Sequence, residues 1–379
     1  MRFTLPLPTQ ATPSPLPARF SSLTLALSLA LPLAAAPAAQ AAQAKAPVIK
    51  KAQAKVDYDG EYVNFADWKE VGAFLDDMVA KHGFERAKLD ALMAQVRYVD
   101  ATIQLIKPAP PGKTKNWQAY RQRFVEPVRI GAGVEFWNAN AEALARAESV
   151  YGVPADVIVG IIGVETVYGR NTGRFRVLDA LTTLAFSYPD TPTRAARMTF
   201  FRGELESALV FAQQNAIDPL SLQGSYAGAV GLPQFMPSSI LDYGVDFDGD
   251  GRIDLRNSAA DAIGSVANFL LRHGWQRQQP PPFAYPASVT PGQPLEPFVG
   301  QGLESTFHAE DLAAAGVFGI VPLPPGMLFG LIDLQNGSED TEYWLATPNF
   351  YAITQYNRSF FYAMSVLELG RAVRAARGQ

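Results

Sequence analysis

The stretch PADVIVGIIGVETVYGR, Pro154–Arg170, places a carboxylate, Glu165, directly after eight residues that are all apolar or glycine. Proline favours the first turn of a helix and glycine the position just after its end, so Pro154 and Gly169 predict a helix over residues 154–168. Glu165 then lies in the last turn of an apolar helix. A glutamate in such surroundings is costly unless it is paired, hydrogen-bonded or protonated.

Two effects are expected to raise the pKa of Glu165. Burial among apolar side chains disfavours the anion, and the negative end of the helix dipole disfavours it further. A carboxylic acid that stays protonated near neutral pH is what a general acid requires. The alternative is a structural role, in which Glu165 forms a salt bridge with Arg170 or Arg174 at the helix end.

A second stretch, GSYAGAVGLPQFMPSS over residues 224–239, combines close-spaced glycines with polar side chains. Glycine lets a backbone approach a partner closely. Ser225, Gln234 and Phe235 stand among these glycines, an arrangement that suits hydrogen bonding to a sugar or to a charge that develops on it. The alternative is tight helix packing, with Ser238 as an N-cap.

A third stretch, DFDGDGRIDLRN over residues 246–257, resembles an EF-hand calcium loop in its first half. Three aspartates fill positions 1, 3 and 5, a glycine fills the turn position, and the residue at position 7 would lend its carbonyl. Position 12 is Asn257 instead of glutamate, so a more distant aspartate would have to close a lengthened loop. Hard oxygen ligands suit a structural calcium ion, and a solvated turn is the alternative. The predicted metal ligands are Asp246, Asp248, Asp250, Arg252 and Asp261.

Composition limits the function classes. The chain has 379 residues, 48% hydrophobic and 18% charged, which indicates a globular protein of two or three domains. The net charge of −4 without a basic stripe argues against nucleic-acid binding. Three isolated histidines, and no serine-hydrolase elbow, phosphate loop or dinucleotide fingerprint, weaken the serine-hydrolase, kinase and dehydrogenase interpretations.

The N-terminus predicts export. Basic residues precede a short apolar run and a small-residue site, so residues 1–44 read as a signal peptide cleaved after Ala41 or Ala44. An uncleaved membrane anchor is the alternative, although the apolar run is short for a span. With no cysteine in the chain, disulfides, thiol catalysis and a lipoprotein anchor are not expected. The predicted location is the periplasm, as a soluble protein.

The rest of the chain divides by composition. Residues 45–150 show helical patterns throughout, and residues 349–379 form a long helical pattern expected to join them. Residues 151–277 hold the three motifs described above. Residues 278–348 begin with a proline-rich segment and continue with two strands around an Asn-Gly turn, which predicts a small β domain.

Taken together, these motifs resemble the lytic murein transglycosylase B family. The resemblance covers most of the mature chain and rests on YGVPADVIVGIIGVETVYGR, VLDALTTLAFSYP, FFRGELESAL, GSYAGAVGLPQFMPSSILDYGVDFDGDGRIDL, DAIGSVANFLLRHGW and PNFYAITQYNRS in this order. It implies a mainly α protein with a goose-lysozyme-like helical catalytic core, an EF-hand-type loop, a helical domain and a small β domain. The absence of cysteine makes soluble family members the better comparison.

By this resemblance Glu165 is the catalytic acid and base, and several other residues line the sugar subsites. Arg197 matches less securely, because the segment before it carries extra residues here. Phe269 occupies a place where the family can have tyrosine, so a hydrogen bond to the substrate would be missing. The implied substrate-binding residues are Tyr120, Arg197, Ser225, Gln234, Phe235, Phe269, Tyr356, Asn357 and Tyr362.

The implied reaction needs one carboxylate, whereas most glycosidases use two. Glu165 would protonate the glycosidic oxygen between N-acetylmuramic acid and N-acetylglucosamine, then deprotonate the muramoyl 6-hydroxyl to close a 1,6-anhydro ring. A hydrolytic muramidase, with Asp179 or Asp190 as a second carboxylate, and a non-catalytic peptidoglycan-binding protein are the alternatives. The implied partner is the peptidoglycan glycan strand, other cell-wall enzymes stay open as partners, and no organic cofactor is expected.

Overall fold

The computed structural model describes residues 64–108, 112, 114–300 and 302–378. The predicted signal peptide lies outside these residues. Within them the chain is mainly helical, as the sequence predicts. The helices are α1 (Lys69–His82), α2 (Arg86–Met93), α3 (Asp100–Ile106), α4 (Trp117–Arg121), α5 (Pro127–Ala139), α6 (Ala141–Tyr151), α7 (Ala155–Thr166), α8 (Val177–Ser187), α9 (Arg194–Gln214), α10 (Pro237–Tyr243), α11 (Ala259–Arg272), α12 (Ala309–Ala314), α13 (Pro348–Thr354) and α14 (Phe360–Ala376).

Two antiparallel sheets complete the fold. The first has two strands, β1 (Phe175–Arg176) and β2 (Gln223–Gly224). The second has four strands in the order β4-β3-β6-β5, which confirms a small antiparallel sheet. Its strands are β3 (Ala284–Val289), β4 (Val317–Gly319), β5 (Gly330–Asn336) and β6 (Glu339–Ala346).

Helix α7 lies at the centre of the fold, because its sequence leaves no polar face before Glu165. All its residues from Val157 to Val164 are buried. It packs closely against α14 at glycines on both helices. A Cβ at Gly160 would collide with the carbonyl oxygen of Val366, and a Cβ at Gly370 with the carbonyl oxygen of Asp156. Close backbone approach therefore fixes α14 beside the helix that carries the glutamate.

Helix α7 ends earlier than Gly169 predicts. Val167 and Tyr168 adopt left-handed backbone conformations, with φ of 52° and 57°. The Thr166 hydroxyl donates to the carbonyl of Leu232 at 2.9 Å and accepts from the backbone amide of Gly169 at 3.0 Å. These two bonds hold the turn that follows the helix. Glu165 is thus in the last turn, as predicted, but two non-glycine residues carry the reversal.

The C-terminal pattern is two helices instead of one. The chain leaves α13 at Thr354 and enters α14 at Phe360, where the Ser359 hydroxyl accepts from the amide of Tyr362 at 3.3 Å. Tyr356 and Asn357 consequently lie in the connecting turn and not on a helix. A serine side chain that bonds to a backbone amide favours a helix end over a continuous helix, which explains the break between α13 and α14.

Two helical stretches within residues 64–151 are each interrupted by one residue outside the helical region of the backbone. Asn64 caps a short 3-10 helix, Phe65–Asp67. Trp68 is extended, so α1 starts only after it. The pattern VEFWNANAEALARAESVYG splits into α5 and α6 at Asn140, which leaves the helical region of the backbone.

The apolar core extends from the helices to one part of the four-stranded sheet, where Ile332 and Leu334 join it. A smaller cluster forms on β3, β5, β6 and α12, around Phe329 and Leu345. Among the described residues no single helix is long and apolar enough to cross a membrane. Helices α6 and α7 meet the length and composition criteria only as a pair, which is bent by 116°. The division into domains at residues 150, 277 and 348 stays a prediction.

Candidate active site

Glu165 lies at the end of α7 with its carboxyl group facing α14. The hydroxyl of Tyr362 donates a hydrogen bond to Glu165 Oε1 at 2.6 Å. Glu165 is part-exposed, while the side chains before and after it, Val164 and Thr166, are buried. Burial raises the pKa of Glu165 to about 7, and the hydrogen bond from Tyr362 opposes part of that rise. Glu165 is thus part-exposed, and its carboxyl group can hold a proton near neutral pH.

The alternative structural role, a salt bridge between Glu165 and Arg170, is not seen, because Arg170 pairs with Glu135 at 3.3 Å. In the part of the chain that the structure describes, Tyr362 is the hydrogen-bonding side chain of Glu165. Asp179 is also not a second carboxylate for the site. It is fully buried, pairs with Arg176 at 2.6 Å and accepts from the backbone amide of Arg97 at 3.1 Å. Its role is to join α8 to the chain after α2.

Aromatic rings surround this acid. The rings of Tyr356 and Tyr362 are nearly parallel, 6.3 Å apart at an angle of 14°. Phe235 and Phe269 pack against Tyr356 with centroids at 5.8 Å and 4.9 Å. Burial and the charge of Glu165 raise the pKa of both tyrosines well above the usual range, so both hydroxyls stay protonated. The structure thus brings four of the predicted cleft residues together, and one of them, Tyr362, contacts Glu165.

The glycine-rich segment forms a tight turn next to these rings. Ser225 Oγ accepts from the backbone amide of Ala229 at 3.0 Å, and the Gln234 amide donates to the carbonyls of Gly231 at 3.0 Å and Thr172 at 3.2 Å. Gln234 itself has φ of 50°. Gly231, with φ of 76°, has no room for a Cβ beside the backbone of Leu255. The turn is held in one conformation by its own backbone and amide groups.

The remaining predicted substrate residues lie at different distances from the acid. Tyr120 is part-buried, and burial with the nearby charge of Glu165 raises its pKa to about 12. Asn357 is part-buried in the turn between α13 and α14. Arg197 is buried on α9, where Nε donates to the hydroxyl of Tyr188 at 3.2 Å and the guanidinium lies over the ring of Phe201. Its described contacts tie it to these aromatic side chains and not to Glu165.

Sequence reasoning missed a second buried glutamate, Glu204. Its carboxylate accepts from Ser238 Oγ at 2.7 Å and from the Ser238 amide at 3.0 Å. Ser238 is therefore not the N-cap of α10, which begins after Met236. The bond to Glu204 fixes the start of α10 and, with it, the turn that carries Gln234. The signal was present in FFRGELESAL, where a carboxylate again stands inside a helical apolar pattern.

Oxygen atoms gather at the aspartate loop. Carboxylate oxygens of Asp246, Asp248 and Asp261 lie within 4.8 Å of one another, a spacing and a donor set that fit a hard cation. Asp261, which is buried, also accepts from the amides of Phe247 at 2.8 Å and Asp254 at 2.8 Å, and its role as the ligand that closes the loop stays a prediction. Asp250 and Arg252 are outside this group of three, and their roles as ligands stay predictions.

Comparisons with known proteins show which proteins this chain is similar to. The family described as Transglycosylase SLT domain matches residues 65–371. Membrane-bound lytic murein transglycosylase B of Escherichia coli (strain K12) is 43% identical over 325 residues, which cover 83% of this chain and 86% of that protein.

Two solved structures extend the comparison to bound molecules. Escherichia coli lytic transglycosylase Slt35, in complex with calcium, aligns with a TM-score of 0.74 and 42% identity, over 86% of this chain and 99% of that chain. SltB3 from Pseudomonas aeruginosa, in complex with NAG-NAM-pentapeptide, aligns with a TM-score of 0.69 and 29% identity, over 81% of this chain and 79% of that chain. Similar proteins thus bind calcium and a peptidoglycan fragment.

Proposed function

This chain belongs to the lytic murein transglycosylase B family and is a peptidoglycan lytic transglycosylase, and we propose that Glu165 is its single catalytic acid and base. The observation that carries the proposal is the carboxyl group of Glu165, which belongs to a part-exposed residue, has a pKa raised to about 7 and accepts a hydrogen bond from Tyr362 at 2.6 Å. A group with this pKa can give up and take back a proton at neutral pH.

In the first step, Glu165 donates its proton to the glycosidic oxygen between N-acetylmuramic acid and N-acetylglucosamine. The C1–O bond breaks, and the substrate's own acetamido group stabilises the positive charge at C1. In the second step, the Glu165 anion takes the proton of the muramoyl 6-hydroxyl, whose oxygen then bonds to C1. The product carries a 1,6-anhydro ring, no water is added, and Glu165 is protonated again.

Tyr362 supports both steps because its hydroxyl stays protonated. A hydrogen bond to a carboxylate favours the anion, so it stabilises Glu165 after proton donation. The parallel ring of Tyr356 and the apolar Phe235 keep water from surrounding that anion. Ser225, Gln234, Asn357 and Tyr120 are proposed to contact the sugars through hydrogen bonds and ring stacking, and Phe269 contributes apolar contact alone.

The substrate that we propose is a glycan strand whose N-acetylmuramic acid residues carry peptides. This rests on the fragment bound by SltB3, which combines both sugars with a pentapeptide. Mass spectrometry of soluble products from purified peptidoglycan tests the reaction, with Glu165→Gln as the control. Anhydro products lighter by about 18 Da, one water, are expected. Products of full mass would indicate a hydrolase, and an absence of products dependent on Glu165 would indicate a binding protein.

We propose that the aspartate loop holds a structural calcium ion. Asp246, Asp248 and Asp261 would supply carboxylate oxygens, with Asp250 and the carbonyl of Arg252 as further ligands. The ion would join the segment before α11 to the helix itself, since Asp261 lies in its first turn. Residual calcium in the purified protein, measured by elemental analysis and compared with Asp246→Ala, tests this assignment.

We also propose that the protein is exported and acts in the periplasm as a soluble enzyme. The support is the signal-like sequence of residues 1–44 and the lack of a cysteine that could carry a lipid. Cell fractionation followed by N-terminal sequencing is the test. Recovery in the membrane fraction after a high-salt wash would contradict the proposal.

A further inference from the structure

Two arginines lie together between α4 and the first turn of α5. The guanidinium carbon of Arg123 is 5.7 Å from the ring centroids of both Tyr120 and Phe124, and that of Arg129 is 5.0 Å from Phe124. Both arginines are part-buried. Among residues 64–108, 112, 114–300 and 302–378, neither forms an ion pair with a carboxylate. This arginine pair is a local excess of positive charge.

The arginine pair is close to the proposed catalytic acid. The Tyr120 ring, over which Arg123 lies, packs against Phe361 with centroids at 5.5 Å. The next residue, Tyr362, donates its hydrogen bond to Glu165. Tyr120 is also affected electrostatically by both Glu165 and Arg123. A substrate at Glu165 that extends past Tyr120 would therefore approach Arg123, and Arg129 lies against the same Phe124 ring as Arg123.

Arg129 has hydrogen-bond donors that no described group uses. Its Nε and Nη1 atoms are buried and lack a partner in the described part of the chain, as does the hydroxyl oxygen of Tyr168. The nearest carboxylate, Glu126, is occupied at the start of α5, where it accepts from the backbone amides of Val128 and Arg129 at 2.8 Å and 2.7 Å. A buried guanidinium with unused donors is unfavourable, and an anion would satisfy it.

We infer that Arg123 and Arg129 bind a carboxylate of the peptide attached to the N-acetylmuramic acid residue at Glu165. This inference rests on the proposed function. The hydroxyl and acetamido groups of the glycan are uncharged, so the anionic groups of a peptide-bearing strand belong to its peptides. Guanidinium groups match carboxylates in shape and charge and bind them through paired hydrogen bonds. The pair thus selects strands that still carry their peptides.

The test compares two substrates that differ only in their peptides. Uncrosslinked glycan strands are prepared with peptides intact, and one portion is treated with an amidase that removes them and leaves the lactyl carboxylates. Initial rates of anhydro-product formation are measured for wild type, Arg123→Gln, Arg129→Gln and Arg129→Lys. Each glutamine variant is expected to lower kcat/KM on peptide-bearing strands by about tenfold, mainly through KM, and to leave the rate on stripped strands nearly unchanged.

Arg86→Gln serves as the control for the loss of one positive charge, because Arg86 is exposed on α2 and pairs with Asp76 and Asp90. Thermal unfolding of each variant shows that it is folded. Arg129→Lys keeps the charge and is expected to recover part of the loss. A second measurement, binding of a peptide-bearing disaccharide to Glu165→Gln protein, compares free and amidated peptide carboxyls, and the amidated form is expected to bind about tenfold more weakly.

Several results would overturn the inference. Equal losses on both substrates would mean that the arginines serve the glycan or the fold, and no loss in any variant would mean that they contact no substrate. A larger loss on stripped strands would assign the pair to the lactyl carboxylate instead. The proposed function fails separately, because it predicts anhydro products from peptide-bearing strands with the wild type and none with Glu165→Gln, whatever the arginine variants do.

Discussion

Replacing Glu165 with glutamine is expected to abolish turnover and yet make the protein more stable at neutral pH. Glutamine has nearly the same shape and can still accept the hydrogen bond from Tyr362, so the fold around α7 and α14 is kept. What disappears is an ionisable group whose charged form is held in apolar surroundings. The substitution therefore lowers activity and raises stability. A glutamate whose role was structural would instead lower stability when replaced.

The magnitude follows from linkage. Folding raises the pKa of Glu165 from 4.5 to about 7, which corresponds to about 3 kcal/mol of unfolding free energy. Because the folded state holds the proton more tightly, this stabilisation is complete below pH 4.5 and is lost as the pH rises to about 7. Above that pH the wild type carries the full cost of the buried anion, and Glu165→Gln does not.

Thermal unfolding of both proteins at pH 4 and pH 8, with calcium fixed, is the assay. The difference in melting temperature is expected to favour Glu165→Gln by on the order of 5 °C more at pH 8 than at pH 4. Glu135→Gln is the matched control, since Glu135 is exposed and paired with Arg170, and it should show no such pH dependence. A difference that is the same at both pH values would refute the reasoning that the acid is tuned by burial.

Three other changes test the contacts around the acid. Tyr362→Phe removes the hydrogen bond that lowers the pKa of Glu165. The alkaline limb of the pH profile of kcat should therefore move to higher pH. A move to lower pH would show that the hydroxyl stabilises the neutral acid. Asp246→Ala, or a chelator, should lower the melting temperature by several degrees while activity at low temperature is kept, and a melting temperature indifferent to calcium would remove the structural ion. Ser238→Ala should lower the free energy of unfolding by about 1 kcal/mol or more, because it leaves Glu204 buried with one hydrogen-bond partner fewer. It should also lower activity, because the same bond positions the turn that carries Gln234. Unchanged activity in a destabilised protein would leave Glu204 with a structural role alone.

Local patterns in the sequence were enough to predict that Glu165 lies in the last turn of an apolar helix and that Asp246, Asp248 and Asp261 lie close together. Glu165 stands out because one carboxylate interrupts an apolar helix, and burial and helix position are both properties of neighbouring residues. The spacing of Asp246 and Asp248 is likewise a local property. Because position 12 of the EF-hand pattern is not glutamate, the sequence also points to a more distant carboxylate, Asp261. The strands on either side of the Asn-Gly turn followed from the same kind of signal.

Contacts between distant segments could not be predicted in this way. Tyr362 is 197 residues from Glu165 in the chain, and its hydrogen bond depends on a break after α13 that the helical pattern conceals. The left-handed Val167 and Tyr168 are set by the Thr166 hydroxyl and its partner Leu232, which belongs to the glycine-rich turn. Each of these features needs the packed fold to exist first.

The packing of α7 against α14 explains why the acid is found at this place in the fold. Gly160 and Gly370 let the two backbones touch, so the positions of Glu165 and Tyr362 are fixed by the core and not by flexible loops. The glycine-rich turn is tied to the same helix through Thr166. A larger residue at Gly160 would therefore separate Tyr362 from Glu165 and should reduce turnover even in a protein that still folds, because the donor that stabilises the anion would lie out of reach.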